Sequence, residues 1–192
     1  MTDTSPPGRP PYLPGDPPPE AETVAMIRVD HAGEYGATRI YEGQLAVAQL
    51  FPWGRGRARD EIRRMAGQEQ RHLAAFDALV RSRRVRPTFL QPVWHVAGYA
   101  LGAATALMGE RAAMACTVAV EEVIDEHYRA QTERLGNTDP ALSETVEAFR
   151  ADELQHRAVA LEHGAAEAPA YELISAFVKT GSRLAIWLST RL

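Results

Sequence analysis

Four stretches of this 192-residue chain carry apolar residues at alternating steps of three and four, and each has a glutamate inside that apolar stripe. The first runs Val24, Ile27, His31, Glu34, Thr38, Tyr41, Leu45, Ala48, and the second Ile62, Met65, Glu69, His72, Phe76, Leu79. A third runs Met114, Thr117, Glu121, Ile124, Tyr128, Gln131, Leu135, and the last Val146, Phe149, Glu153, His156, Ala160. Steps of three and four mark one face of an α-helix turned toward a core. Four helices must therefore bury carboxylates against one another. Taking one carboxylate out of water costs several kcal/mol, so four together rival the whole stability of a domain. No lysine or arginine stands on these seams. Something strongly positive has to sit among the glutamates.

Bound cations fit that need. Residues three apart on a helix share a face, so Glu69-Gln70-Arg71-His72 and Glu153-Leu154-Gln155-His156 each turn one carboxylate and one imidazole inward. Two helices giving Glu-x-x-His and two giving a lone Glu make up the ligand set of di-iron carboxylate bundles. One Glu-x-x-His arises often by chance; two in seam phase, each after a helix with its own seam glutamate, form a specific signature. The expected ligands are Glu34, Glu69, His72, Glu121, Glu153 and His156. Phase selects Glu121 over Glu122, whose stripe turns polar, and Glu153 over Asp152. Oxygen-rich donors with two imidazoles suit iron or manganese, whereas thiolates would suit zinc or copper(I). Iron is the expected metal. The order also repeats: Glu34 to Glu69 is 35 residues and Glu121 to Glu153 is 32.

Around these seams, helices are expected near 22–50, 57–84, 93–107, 110–135, 140–164 and 170–190, broken at glycine and proline clusters. No alternating run reads as a strand, so the fold class is all-α: a four-helix bundle with two additional helices, one domain over 22–192. Residues 1–20 hold eight of the thirteen prolines and, with residue 21, read as a disordered tail without a signal-peptide pattern. The single Cys116 excludes an internal disulfide and fits a reducing compartment. A net charge of -4 excludes nucleic acid as the expected partner.

Two segments pose a membrane question. Residues 87–109 carry no formal charge over 23 positions, but prolines at its start leave a cleaner run more suited to lying on the bundle or in a membrane interface than to spanning a bilayer. The last helix aligns Leu173, Ile174, Phe177, Val178, Leu184, Ala185 and Leu188, a pattern shared by interfacial and core-facing helices. Residues 55–86 hold ten arginines against four acids, either a solvated surface or a face for anionic headgroups. Around the ligands, Asp152 either backs His72 or faces solvent. Tyr41 and Tyr128 each follow a seam glutamate by seven residues, and either line the site or fill the core. His31 is a core or supporting histidine.

Longer motifs resemble one known family. Arg28-Val29-Asp30-His31-Ala32-Gly33-Glu34-Tyr35-Gly36-Ala37, followed by Ile40-Tyr41 and Gly43-Gln44, is similar to the opening motif of the demethoxyubiquinone hydroxylases of coenzyme Q biosynthesis. So are Arg84-Val85-Arg86-Pro87-Thr88, Ala115-Cys116-Thr117-Val118-Ala119-Val120-Glu121-Glu122, Glu162-His163-Gly164-Ala165, Ala168-Pro169-Ala170-Tyr171 and the ending from Ile186 to Leu192. The resemblance implies a ferritin-like di-iron monooxygenase that uses O₂ to hydroxylate the ring of a demethoxyubiquinol, with the family's six ligands on the residues named above. It also implies a polyprenyl quinol substrate and a peripheral place on the cytoplasmic face of the cell membrane. Other quinone-biosynthesis proteins or an electron donor are implied as partners, since no G-x-G-x-x-G fingerprint occurs. The rival readings are a ferritin-like iron store or peroxide scavenger, and a membrane-surface protein with structural seams.

Overall fold

The computed structural model describes residues 19–136 and 138–192. Most of the proline-rich stretch lies outside the described residues. Six α-helices carry the described chain: α1 Pro19–Ala48, α2 Arg57–Ser82, α3 Gln91–Leu107, α4 Glu110–Leu135, α5 Pro140–Glu162 and α6 Tyr171–Arg191. Short 3-10 turns lie at Pro52–Arg55 and Ala165–Glu167, and no strand occurs among the described residues. Helix α1 begins at Pro19, so it takes in residues 19–21 of the stretch read as tail. Proline suits a first helical turn, where its missing N–H has no intrahelical partner.

Local chemistry sets the ends. Arg84 takes a left-handed φ of 54° and closes α2, with Val85 N–H donating to Val80 O and Arg84 N–H to Arg81 O. That double closure lets buried Val85 fold back on the helix. At the start of α5, Pro140 opens the first turn and the Asp139 side chain accepts from Leu142 N–H. Arg83 also pairs with Asp139, tying the end of α2 to the start of α5, and its guanidinium holds the Asp139 carboxyl below the usual range.

Helices α1 and α2 form one hairpin and α4 and α5 the other; together they are a ferritin-like four-helix bundle. Fully buried Ile27, Ile62, Met65, Phe76, Met114 and Val146 fill its centre. Helix α3 connects the hairpins and lies against α1, while α6 lies against α4 and α1. The α1–α3 contact has no room for side chains. A Cβ added to Gly102 would meet Ile40 O at 1.9 Å, and one added to Gly43 would meet Tyr99 O at 2.2 Å.

The two added helices keep apolar surface outward. Phe89, Val93, Val96, Leu107 and Met108 are exposed around α3. The stripe expected on α6 splits: Ile174 and Val178 are buried, whereas Leu173, Phe177 and Leu184 are 71%, 71% and 55% exposed. Its apolar arc is wider than α4 and α1 can cover. Most of the arginine-rich stretch is on α2, which packs on α1 and α5, the layer opposite α3 and α6. No helix among the described residues is long and apolar enough to cross a membrane.

Gly102→Ala is expected to force α1 and α3 apart and cost about 1–3 kcal/mol. Gly67→Ala, also in a helix but with nothing within 4 Å of its new Cβ, is expected to gain about 0.5–1 kcal/mol. Thermal unfolding followed by circular dichroism checks both; equal Tm changes would refute the close-packed contact.

Candidate metal centre

Each helix of the inner bundle delivers its seam donors to one place. Glu34 comes from α1, Glu69 and His72 from α2, Glu121 from α4, and Glu153 and His156 from α5, all at most 2% exposed. Ligand atoms of Glu34, Glu69, His72 and Glu153 lie within 4.8 Å of one another, and so do those of Glu69, Glu121, Glu153 and His156. Either group could hold a metal ion, and Glu69 and Glu153 belong to both. His72 Nδ1 is 3.1 Å from Glu153 Oε1 and 3.5 Å from Glu34 Oε2. His156 Nδ1 is 2.9 Å from Glu153 Oε2 and 3.1 Å from Glu69 Oε1.

These approaches are close enough for charge attraction but not aligned as hydrogen bonds. Both oxygens of Glu69 and of Glu153, Oε2 of Glu34 and of Glu121, and Nδ1 of both histidines are buried without a hydrogen-bond partner. Eight orphaned atoms converging from four helices are the wrong set for a protein-only core, where buried polar groups are paired. They are the right set for cations, hard oxygen donors with two imidazoles. Glu69 and Glu153 keep both oxygens free of hydrogen bonds. Glu34 and Glu121 each offer one, because the other accepts from a tyrosine: Tyr128 donates to Glu34 Oε1, and Tyr41 donates to Glu121 Oε1 at 2.9 Å.

Charge is shared unevenly. Burial, then the charge of Glu153, pushes Glu121 up to about 8. Burial also raises Glu34 and, further, Glu69. Glu153 goes the other way, to about 2, because contact with His156 and His72 outweighs its burial. Burial pulls both imidazoles down, but the carboxylates around them win and raise His72 to about 11 and His156 to about 12. Among the protein groups alone, protons do the work that cations would do.

The surrounding residues divide clearly. His72 Nε2–H donates to Asp152 Oδ2 at 3.0 Å, one of the two alternatives the sequence left open. His31 turns away and pairs with Asp77 on α2 at 3.0 Å. Glu122 pairs with Arg157 and Lys179 outside the site. One residue that touches a donor and one buried polar network were missed. Gln68 Oε1 stands 3.1 Å from His156 Nε2; the internal repeat aligns it with Asp152, since each precedes its Glu-x-x-His glutamate. Buried Asp30 accepts from His127 and Gln131 at 3.1 and 2.7 Å, and its position three after Ile27 and four before Glu34 had put it on the seam side.

An apolar cavity of about 360 Å³ lies between α1, α3, α4 and α6. Gly33 and Ala37 line it beside Glu34, and Val120 and Ile124 line it beside Glu121. Its other walls include Trp94 and Leu101 of α3 and Phe177, Gly181 and Leu184 of α6. Its α1 and α4 walls belong to the helices that carry Glu34 and Glu121, and its α6 wall includes the exposed Phe177 and Leu184.

The sequence profile of the family described as "Ubiquinone biosynthesis protein COQ7" matches residues 21–189. The chain is 54% identical over 180 residues to a "3-demethoxyubiquinol 3-hydroxylase" of Rhodospirillum rubrum, covering 93% of this chain and 82% of that protein. It is 49% identical over 171 residues to the human "NADPH-dependent 3-demethoxyubiquinone 3-hydroxylase, mitochondrial", covering 87% and 76%. With the "5-demethoxyubiquinone hydroxylase, mitochondrial" of Saccharomyces cerevisiae, identity is 40% over 183 residues, covering 87% and 77%.

Because the donors hold protons that a metal must displace, loading with divalent ions is expected to release protons and to tighten as pH rises. Calorimetric titration in buffers of different ionisation enthalpy measures both. Glu153→Ala, which removes the donor common to both groups, is expected to abolish binding of two ions; retention of both in metal analysis would refute the site.

Proposed function

This chain belongs to the ubiquinone biosynthesis protein COQ7 family, and we propose that it is a 3-demethoxyubiquinol 3-hydroxylase using two iron ions held by Glu34, Glu69, His72, Glu121, Glu153 and His156. The observation that carries the reading is an apolar cavity walled in part by Gly33 and Ala37 of α1 and by Val120 and Ile124 of α4, the helices that carry Glu34 and Glu121. An iron store has no need of it. The bound irons would supply O₂ reduction, one oxygen atom entering the ring and the other leaving as water with two electrons from a reductant.

The protein residues have separate tasks in this proposal. Glu69 and Glu153, common to both groups, would help to hold both irons, and Glu34 and Glu121 would each help to hold one. Tyr128 and Tyr41 hold one oxygen of Glu34 and of Glu121, respectively, and so fix which oxygen faces inward. Asp152 and Gln68 hold the outer nitrogens of the imidazoles, setting ring orientation and tautomer. The apolar wall made by Ala37, Val120 and Ile124 keeps water from the reacting ring. The ring end of the quinol fits this wall, and the polyprenyl tail follows the cavity between α3 and α6.

Peripheral membrane attachment completes the proposal. Val93 and Val96 on α3, and Phe177, Leu184 and Trp187 on α6, expose apolar area next to the cavity walls. A tail drawn from a bilayer would enter there without crossing water. Electrons come from outside the fold; several relatives carry "NADPH-dependent" in their names, and NADPH is the proposed source.

Iron-loaded protein given a demethoxyquinol, isotopically heavy O₂ and reductant is expected to yield a product bearing one heavy oxygen by mass spectrometry; unchanged quinol would refute the activity. Gly181→Leu, projecting into the cavity, is expected to lower kcat/KM about tenfold or more for a long-tailed quinol and to spare a tail-less analogue.

Val96→Asp with Phe177→Asp is expected to abolish co-flotation with phospholipid vesicles while metal content stays at two. Undiminished flotation would refute the membrane face.

A further inference from the structure

The six donors repeat across the two hairpins, but the groups behind them do not. The tyrosines are exchanged evenly: Tyr41 of α1 serves Glu121 of α4, and Tyr128 of α4 serves Glu34 of α1. The imidazoles are backed in the same crossed manner, each by the residue just before the other hairpin's Glu-x-x-His glutamate. His72 meets Asp152 at 3.0 Å and His156 meets Gln68 at 3.1 Å. Here the symmetry breaks, because one acceptor is a carboxylate and the other an amide.

Neighbouring charge widens the difference. Gln68 Oε1 also accepts from Arg64 Nη1, and that guanidinium draws electron density from the oxygen His156 needs. Arg64 is held in place by Glu61 at 2.8 Å. Among the described residues no arginine or lysine pairs with Asp152, and His72 is the partner of this part-exposed carboxylate. A carboxylate accepting the Nε2 proton makes the opposite ring nitrogen a more basic, stronger donor; an amide already polarised by a cation does so far less.

We infer that Asp152 and Gln68 are positioning residues that make the two halves of the centre unequal, so that the first divalent cation is held on the His72 side and the second, more weakly, on the His156 side. The inference rests on the metal reading above and adds to it an order of filling that the six donors alone do not contain. It gives the family's symmetric ligand set a strong and a weak end in this chain.

Anaerobic titration of the metal-free, full-length protein with Co(II), followed by visible absorption and calorimetry, tests it. Two resolved steps are expected in the unaltered protein. Asp152→Asn keeps the shape and the acceptor oxygen but removes the charge; it is expected to weaken the first step by about 10–100-fold and leave the second nearly unchanged. Gln68→Glu is expected to tighten the second step by about tenfold. General loosening of the bundle would weaken both steps in both variants, so that outcome, or two equal steps in the unaltered protein, would overturn the inference. If Asp152→Asn does not fold by circular dichroism, the direction of the Gln68→Glu change decides alone. Failure of the unaltered protein to bind two Co(II) ions would instead overturn the metal reading beneath it.

Discussion

Burial of four carboxylates in one water-free space is the constraint from which the rest of this molecule follows. Each costs several kcal/mol to desolvate, and together they exceed what a domain of this size keeps as net stability. The protein offers two imidazoles in return, and Glu153 sits between them. That leaves eight buried donor atoms without a hydrogen bond. A helical core that keeps such atoms together could hold metal ions among them, and its packing sets the distances between the donors.

The outer helices solve a second problem without disturbing the first. An apolar substrate needs a dry route to the centre, yet opening the four-helix core would admit water to the carboxylates. Helix α3 fits close to α1 because Gly43 and Gly102 let backbone meet backbone. Further along, smaller residues leave space between α3, α6 and the bundle, and that space is the cavity. The same helices then turn the remainder of their wide apolar arcs outward. The absence of charge over residues 87–109 thus has three separate causes along one helix: close packing, a cavity wall and an exposed apolar face.

Internal repetition explains the order of the centre and also where that order ends. Two hairpins give Glu, then Glu-x-x-His, and cross-brace one another through Tyr41, Tyr128, Asp152 and Gln68. A mutual arrangement of this kind makes each hairpin incomplete by itself, which favours one way of docking over alternatives. The single chemical mismatch, carboxylate against amide, sits one residue from a glutamate on each side.

Periodicity and the glycine and proline breaks placed the six helices within three residues of their observed ends, and periodicity put Glu34, Glu69, His72, Glu121, Glu153 and His156 on buried faces. It chose Glu121 over Glu122 correctly as the buried one, because helical phase fixes direction before any partner is known. For Asp152 it left open a contact with His72 and a place in solvent, and the structure shows the contact with the carboxylate still part-exposed. What periodicity could not decide was everything that depends on a second helix. His31 shares the seam of Glu34, yet it pairs with Asp77 and leaves the donor cluster. Gln68 and Asp30 gained their roles from His156 and His127, residues 88 and 97 positions away. The stripe on α6 divided into a buried and an exposed half because the width of its neighbours, and not its own pattern, sets how much of it is covered. A sequence determines which face of each helix must be hidden; only the tertiary structure decides against what.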